Sequence, residues 1–252
     1  MSKLSLSKPP LKELSLAIEF APVREMDEIS LGAFLKKRFD GKGTMQIVRR
    51  QTLTVGGADG TVARDTGFGG GVVDVKTDNS QIGFLVDRLV YTKRAPYTKW
   101  EDIVSAVDEN WDLLASDFSV GPITRVSVRC INLIELAIDG TRDFKDVISM
   151  TPPGSDELGA GYCVGFHYEE TQYYKKSDVF VSVDRFYRMR HSMSSAPSQR
   201  ENPVRLDVKV MRNFDPAALP KCVSPEVYSD LRTAKNAAFV NALSPSQLER
   251  YR

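Results

Sequence analysis

The segment at residues 185–191, RFYRMRH, combines more cations and aromatic rings than any other part of the chain. Guanidinium groups bind anions and aromatic rings stack on nucleobases, so these residue types suit an anion or a single-stranded nucleic acid. Alternation along a strand places Arg188 and Arg190 on one face and Arg185 on the other, so a continuous basic surface does not follow from the pattern. A binding patch and a solvated strand remain as alternatives. An inferred hairpin adds three tyrosines to this region: Tyr168, Tyr173 and Tyr174.

Two further arginines, Arg125 and Arg129, alternate with apolar residues on another predicted strand. They either line a cavity for a small anion or pair with a carboxylate on a neighbouring strand, such as Asp87 or Asp207. The pattern favours the ion pair, which helps to fix the register of the strands. The full set of candidate ligand-binding residues is Arg125, Arg129, Arg188, Arg190, His191 and Tyr168.

The glycine-rich segment at residues 67–71, GFGGG, offers backbone amides that approach a phosphate closely in other proteins. A P-loop continues through Lys-Ser or Lys-Thr into a helix, and a dinucleotide-binding turn lies between a strand and a helix. The residues that follow here, VVDV, fit neither pattern. We therefore predict a loop without a phosphate site, and we predict no cofactor.

Metal and acid–base chemistry have few candidate residues. His167 and His191 are the only two histidines, and Cys163 lies four residues before the first of them. A lone histidine on a strand more often hydrogen-bonds within the sheet than binds a metal, so we predict no metal site. Glu169 and Glu170 are consecutive and point to opposite faces of a strand, and no nucleophile motif is present. The sequence therefore favours a non-enzymatic protein without catalytic residues.

The composition disfavours several classes of protein. The 252 residues include 34 Lys+Arg and 33 Asp+Glu, a net charge of +1, which lacks the positive field of a dedicated nucleic-acid-binding protein. Nucleic acid is expected only at a local basic patch. The three cysteines have no C-x-x-C spacing, which disfavours a disulfide framework and a zinc ribbon. No segment has the apolar length of a signal peptide or membrane span, so we expect a cytoplasmic protein that does not bind a membrane.

Hydrophobic periodicity predicts alternating strands and helices. Alternation at period two indicates strands at residues 12–21, 45–54, 82–92, 123–136, 162–173, 179–190 and 204–212. Helical spacing indicates helices at residues 31–39, 98–115 and 225–243. In the second helix, Thr98 and Glu101 match a capping box, while Trp100 and Trp111 belong to an apolar stripe that must pack on a sheet.

The order of these elements, strands followed by a long helix and then the same again, predicts an α+β fold. We expect one large, mainly antiparallel sheet with two long helices packed on one face. The chain is predicted to form a single domain, residues 1–252. Two related β-β-α halves, residues 11–120 and 121–252, are an interpretation of the element order alone.

Five short segments of this chain, taken in order, resemble the sequence pattern of a known family. They are PPLKE at residues 9–13, YTKWE at 97–101, TRVSVRCIN at 124–132, LDV at 206–208, and LSP at 243–245. In this order they resemble a sporadically distributed, functionally uncharacterised prokaryotic family of similar length. Cys130 stands where that family commonly has an aromatic residue, and Ser127 where it commonly has glycine. The resemblance implies horizontal transfer and an accessory role in a mobile or defence-associated system, and it carries over no catalytic residues.

The leading functional hypothesis is a non-enzymatic interaction or sensor module that binds a protein partner or a second copy of itself. The lack of catalytic motifs favours this hypothesis. The alternative is a protein that binds a small anionic ligand or a nucleotide. A metal-dependent hydrolase is a third and weaker hypothesis.

Overall fold

The computed structural model describes residues 9–23, 25–55, 62–96, 99–134, 147–149, 165–175, 177–188 and 203–251. These residues form nine strands and four helices. The strands are β1 (Leu11–Phe20), β2 (Thr44–Val55), β3 (Val62–Val75), β4 (Ser80–Leu85), β5 (Arg88–Arg94), β6 (Ile123–Ile134), β7 (Gly165–Tyr174), β8 (Val179–Arg188) and β9 (Val204–Asn213). The helices are α1 (Glu28–Phe39), α2 (Trp100–Asp117), α3 (Pro225–Ala242) and α4 (Pro245–Glu249).

The described strands form one antiparallel sheet in the order β2-β3-β4-β5-β1-β6-β9-β8-β7. The start of β1 lies beside the end of β6, since the amide of Leu133 donates to the carbonyl of Pro10 at 3.0 Å. This topology confirms the predicted α+β class with an antiparallel sheet.

The contacts within the chain divide it into two compact units. Unit 1 comprises Met1–Leu14, Val128–Arg212 and Pro225–Arg252, and unit 2 comprises Ser15–Ser127 and Asn213–Ser224. Within each predicted half, the first strand lies beside the last strand of a meander: β1 beside β5, and β6 beside β9. The two predicted halves therefore share one order of strands. This supports the interpretation that the halves are related, which stays a prediction.

Helix α1 of unit 2 begins at Glu28, three residues before the predicted start at residue 31, and opens with a capping box. Asp27 is the N-cap, and its carboxylate accepts from the amide of Ser30 at 2.7 Å, while the hydroxyl of Ser30 accepts from the amide of Asp27. These bonds satisfy helix-end donors one turn earlier than expected. The helix then buries four apolar residues on the sheet: Leu31, Phe34, Leu35 and Phe39.

The prediction of a loop at residues 67–71 is wrong, because these glycines lie within strand β3. A β-bulge interrupts the β2–β3 ladder here, and the pairing shifts between Val48 and Arg49. At Gly70 the φ angle is +132°, and an added Cβ would lie 2.4 Å from the carbonyl oxygen of Phe84. Tertiary neighbours, rather than a turn, therefore require glycine in this segment.

The single strand predicted at residues 82–92 is in fact the β4–β5 hairpin, which turns at Val86 and Asp87. Val86 is not a usual turn former, and Asp87, which is common in turns, is not followed by glycine. Neighbouring segments bond this turn instead: the amide of Val86 donates to the carbonyl of Gly69, and the carbonyl of Asp87 accepts from Phe20. Because tertiary contacts satisfy the turn, its sequence carries only a weak local signal.

Helix α2 carries the apolar stripe that the sequence predicted. Trp100 and Trp111 are both 6% exposed, and the ring of Trp111 meets that of Phe20 edge-on at 5.4 Å. The predicted partner in the capping box differs, because Asp102 accepts from the amide of Lys99; Thr98 lies outside the described residues. Helix α2 packs on β5 of the same unit.

In unit 1, helix α3 packs on β8 and buries Leu231 and Ala238. Ser244 then caps α4 by accepting from the amide of Gln247 at 3.2 Å. Helices α2 and α3 each contain 18 residues. Their predicted location on one common face of the sheet stays a prediction.

Candidate functional site

The hairpin of β7 and β8 in unit 1 carries every exposed large aromatic residue in the described part of the chain. Exposure is 52% for Tyr173, 40% for Phe186, and 38% for both Tyr168 and Tyr174. The two strands pair from Gly165 opposite Arg188 to Tyr174 opposite Val179. This arrangement confirms the predicted hairpin, and we call these four residues the aromatic set.

The two faces of the hairpin differ in burial. Val179, Val181 and Val183 are buried and define the inner face, whereas Phe180, Ser182 and their alternate neighbours define the outer face. Because paired residues share a face, the aromatic set divides evenly. Tyr173 and Phe186 lie on the outer face, and Tyr168 and Tyr174 lie on the inner face.

Ring contacts hold the outer-face aromatic residues in place. The ring of Tyr173 lies 4.8 Å from that of Phe180, and the ring of Phe186 meets His167 edge-on at 6.0 Å. The hydroxyl of Tyr173 also donates to Asp178 at 2.9 Å, and this hydrogen bond raises the pKa of Tyr173. The exposed rings are therefore positioned by their neighbours, as preorganised contact residues are.

Polar cross-strand pairs occupy the middle of the outer face. Nε2 of His167 lies 3.0 Å from Oδ1 of Asp184. This is a close polar contact with poor hydrogen-bond alignment, since that oxygen has no hydrogen-bond partner among the described residues. The hydroxyl of Ser182 donates to Glu169 at 2.9 Å. His167 therefore contacts a carboxylate of the sheet; Cys163, its proposed metal-ligand neighbour, lies outside the described residues.

Arg129 and Asp207 form the ion pair that the sequence favoured. Nε of Arg129 donates to both carboxylate oxygens of Asp207, at 2.9 and 3.1 Å, and Nη2 of Arg205 donates to the same carboxylate at 2.8 Å. The hydrogen bond to Asp207 raises the pKa of Arg129. The Asp207 side chain is only 7% exposed, whereas that of Arg129 is half exposed. Two cations thus compensate one buried carboxylate.

Arg125 also pairs with protein groups, within unit 2. Its Nε donates to Oδ1 of Asn213 at 2.6 Å, and its Nη1 donates to Glu19 at 3.3 Å. The neighbouring-strand carboxylate is therefore Glu19, while Asp87 pairs with Arg88. Both arginines predicted on β6 have carboxylate partners, which leaves their role in ligand binding a prediction.

Arg185 lies on the inner face and is buried, whereas the sequence left a binding patch and a solvated strand as alternatives for this segment. Its side chain is 7% exposed, and its guanidinium carbon lies 5.7 Å from the ring centre of Tyr168. Burial lowers the pKa of Arg185. The signal for this position was present in the sequence, since Arg185 continues the alternation of Val179, Val181 and Val183.

The remaining predicted residues are only partly covered. Arg188 lies opposite Gly165 at the end of the hairpin, while Arg190 and His191 lie outside the described residues. In the described ranges no three His, Cys, Asp or Glu side chains converge as metal ligands. No helix in this part of the chain has the length and apolar content to cross a bilayer.

No model of a known protein family matches the chain, and no curated protein matches it. The resemblance to the sporadically distributed prokaryotic family therefore stays a prediction.

Proposed function

We propose that the protein is a non-enzymatic interaction module that binds a protein partner through the β7–β8 hairpin. The observation that carries this proposal is the aromatic set, since the exposed aromatic residues of the described chain all lie on one supersecondary element. Tyrosine and arginine are enriched among residues that dominate binding energy, and exposed aromatic clusters commonly mark interfaces.

The geometry of β7 favours a partner that adds a strand. It is the last strand in the order of the described sheet, so its outer backbone groups have no neighbouring strand among those residues. An added strand would lie between Tyr168 and Tyr174 on one face and Tyr173 on the other. Backbone hydrogen bonds then supply affinity, and the flanking side chains supply specificity.

The charge of β7 indicates the chemistry of the partner segment. Glu169 and Glu170 project to opposite faces of β7, and the strand contains neither lysine nor arginine. An extended segment with two consecutive basic residues complements both faces, because neighbouring residues of a strand point to opposite faces. We also retain the proposal of an accessory role in a mobile or defence-associated system, which the family resemblance supports.

Co-purification with proteins encoded by neighbouring genes tests this function, together with light scattering for self-association. We expect a complex with wild type and at least roughly a tenfold loss of affinity in the double variant Tyr173→Ser/Phe186→Ser. Ile29→Ser is the matched control, because Ile29 is 84% exposed and lies in unit 2. A strict monomer without any co-purifying chain would refute the proposal, as would equal binding by both variants.

A further inference from the structure

Arg185 is held in an apolar row of the unit 1 sheet. Its strand neighbours in the register are Tyr168 on β7 and Leu206 on β9, and the side chains of Val183 and Leu206 beside it are buried. The side chain of Arg185 is only 7% exposed. Beside it, Tyr168 is 38% exposed and the side chain of Glu170 is 36% exposed.

Two nitrogens of the buried guanidinium lack hydrogen-bond partners among the described residues. Both Nε and Nη1 of Arg185 are buried without an acceptor among the described residues. The nearest carboxylate, that of Glu170, is 3.9 Å from Nη1, which is too long for a hydrogen bond, and it accepts from Gln172 instead. Two unsatisfied donors on one buried cation are costly unless another group compensates them.

Three other arginines of the described chain, Arg38, Arg205 and Arg212, each have one unsatisfied nitrogen, Nε. Their terminal nitrogens lie 3.7, 2.8 and 3.4 Å from an aspartate, compared with 3.9 Å between Nη1 of Arg185 and Glu170. Arg185 alone among the described arginines has two unsatisfied nitrogens. Its side chain is also the least exposed of these four.

We propose that Arg185 and Tyr168 form a binding site for a small oxyanion, a carboxylate or a phosphate. The oxyanion accepts hydrogen bonds from Nε and Nη1, and so neutralises the buried cation. The ring of Tyr168, whose centre lies 5.7 Å from the guanidinium carbon, adds a cation–π contact beside the anion. Arg185 lies on the inner face of the hairpin, whereas Tyr173 and Phe186 of the partner surface lie on the outer face, and Tyr168 belongs to both sites.

Glu170 sets the affinity of this site. Its carboxylate lies beside the guanidinium and repels an incoming anion, so we expect a single inorganic anion to bind weakly. Replacing Glu170 with glutamine removes the repulsion while keeping the size and the hydrogen bond geometry of the side chain. The Glu170→Gln variant should therefore bind the anion roughly tenfold more tightly.

Unfolding monitored in phosphate or acetate, against chloride at equal ionic strength, tests the site. Wild type should show a saturable rise in melting temperature with at least one oxyanion, and the more effective ion identifies the preferred class. The rise should be absent in Arg185→Met and retained in Arg205→Met, where the arginine is 40% exposed and already paired with Asp207.

Several results would overturn the proposal. One is the absence of saturable stabilisation by either ion, and another is an equal effect in Arg185→Met. The stability of Arg185→Met without added anion is a separate test. Removal of an uncompensated buried charge should leave the melting temperature unchanged or higher, so a variant that melts lower or fails to fold shows that Arg185 has a structural partner. Titration of Glu170→Gln by calorimetry must also show the tighter binding.

Discussion

The guanidinium of Arg129 donates three hydrogen bonds to the carboxylate of Asp207 and joins strands β6 and β9 of unit 1. Asp207 is buried, and Arg205 donates to it as well. These hydrogen bonds favour the native register of the two strands. A shift of either strand would separate the buried carboxylate from its charged donors.

Replacing Asp207 with asparagine should lower the free energy of unfolding by about 1–3 kcal/mol, since hydrogen bonds to charged groups contribute at that level. Urea denaturation measures the change. Asp230→Asn is the matched control, because Asp230 is 41% exposed and meets Arg212 at 3.4 Å. Its loss should be below about 1 kcal/mol. Equal effects of the two substitutions would contradict the role assigned to Asp207.

The glycines of β3 should differ sharply in their tolerance of alanine. At Gly70 the backbone is left-handed and a Cβ would overlap the carbonyl of Phe84, so Gly70→Ala should lower the free energy of unfolding by at least about 1–3 kcal/mol. At Gly67 nothing lies within 4 Å of the added Cβ, so Gly67→Ala should change it by less than about 0.5 kcal/mol. Chemical denaturation of both variants measures the two free energies of unfolding, and equal losses would contradict the prediction.

The buried ammonium group of Lys93 depends on Asp78. Lys93 is 6% exposed and contacts Oδ1 of Asp78 at 2.5 Å, and Tyr91 donates to Oδ2 at 3.1 Å. Partial burial raises the pKa of Asp78, but hydrogen bonds from Lys93, Ser80 and Tyr91 outweigh this effect and keep the pKa below its usual value.

A carboxyl group with a lowered native pKa stabilises the fold above its unfolded pKa, and this contribution disappears as the pH falls through the native pKa. We therefore expect wild type to lose more stability than Asp78→Asn between about pH 5 and about pH 2. Urea midpoints across this range measure the difference. Asp74→Asn should behave like wild type, because Asp74 and Arg94 are both well exposed. Parallel curves for wild type and Asp78→Asn would disprove the coupling.

Cys130 should be chemically silent in the folded protein. Complete burial raises the pKa of its thiol to about 11, whereas Cys222 is exposed. Iodoacetamide reacts with the thiolate, so at about pH 8.5 it should label Cys222 and spare Cys130 until the protein is unfolded. Peptide mass spectrometry of a Cys163→Ser variant separates the two sites. Rapid labelling of Cys130 under native conditions would contradict its burial.

The same thiol predicts a loss of stability in alkali. Because the unfolded chain ionises at lower pH than the native one, the unfolded state binds fewer protons between the two pKa values, and stability falls as the pH rises from about 9 to about 11. The Cys130→Ala variant should show a shallower fall across that interval. An unchanged slope would contradict the raised pKa.

Local patterns were sufficient to locate most elements of the fold. The alternation before Phe20 predicted β1, and the stripe around Trp100 and Trp111 predicted α2, because burial of one face imposes its own period on the sequence. The charge pattern also favoured a carboxylate partner for Arg129 and named Asp207 as one of two candidates. These features depend on neighbours along the chain or on one strand pairing.

Other features could not be predicted, because their causes lie in distant residues. The glycine-rich sequence at 67–71 is typical of a loop, and only the contact of Gly70 with the Phe84 carbonyl explains why glycine is needed in a strand. The turn at Val86 and Asp87 has a weak sequence signal, because Gly69 and Phe20 provide its backbone hydrogen bonds. Likewise, the sequence does not show which aromatic side chains are exposed. That the exposed ones lie on one hairpin follows only from the exposure of each aromatic residue in the described chain.

By itself the sequence determined the α+β class and the positions of its main strands and helices, and it favoured an ion pair for Arg129. Periodicity carries the positions because each element must bury one side. Only the tertiary structure decided that Asp207 is the partner of Arg129, that Nε and Nη1 of Arg185 are buried without an acceptor among the described residues, and that Tyr168 remains accessible. The exposure and hydrogen bonding of a side chain depend on the residues that surround it in the folded protein. The order of residues along one strand does not specify those surrounding residues.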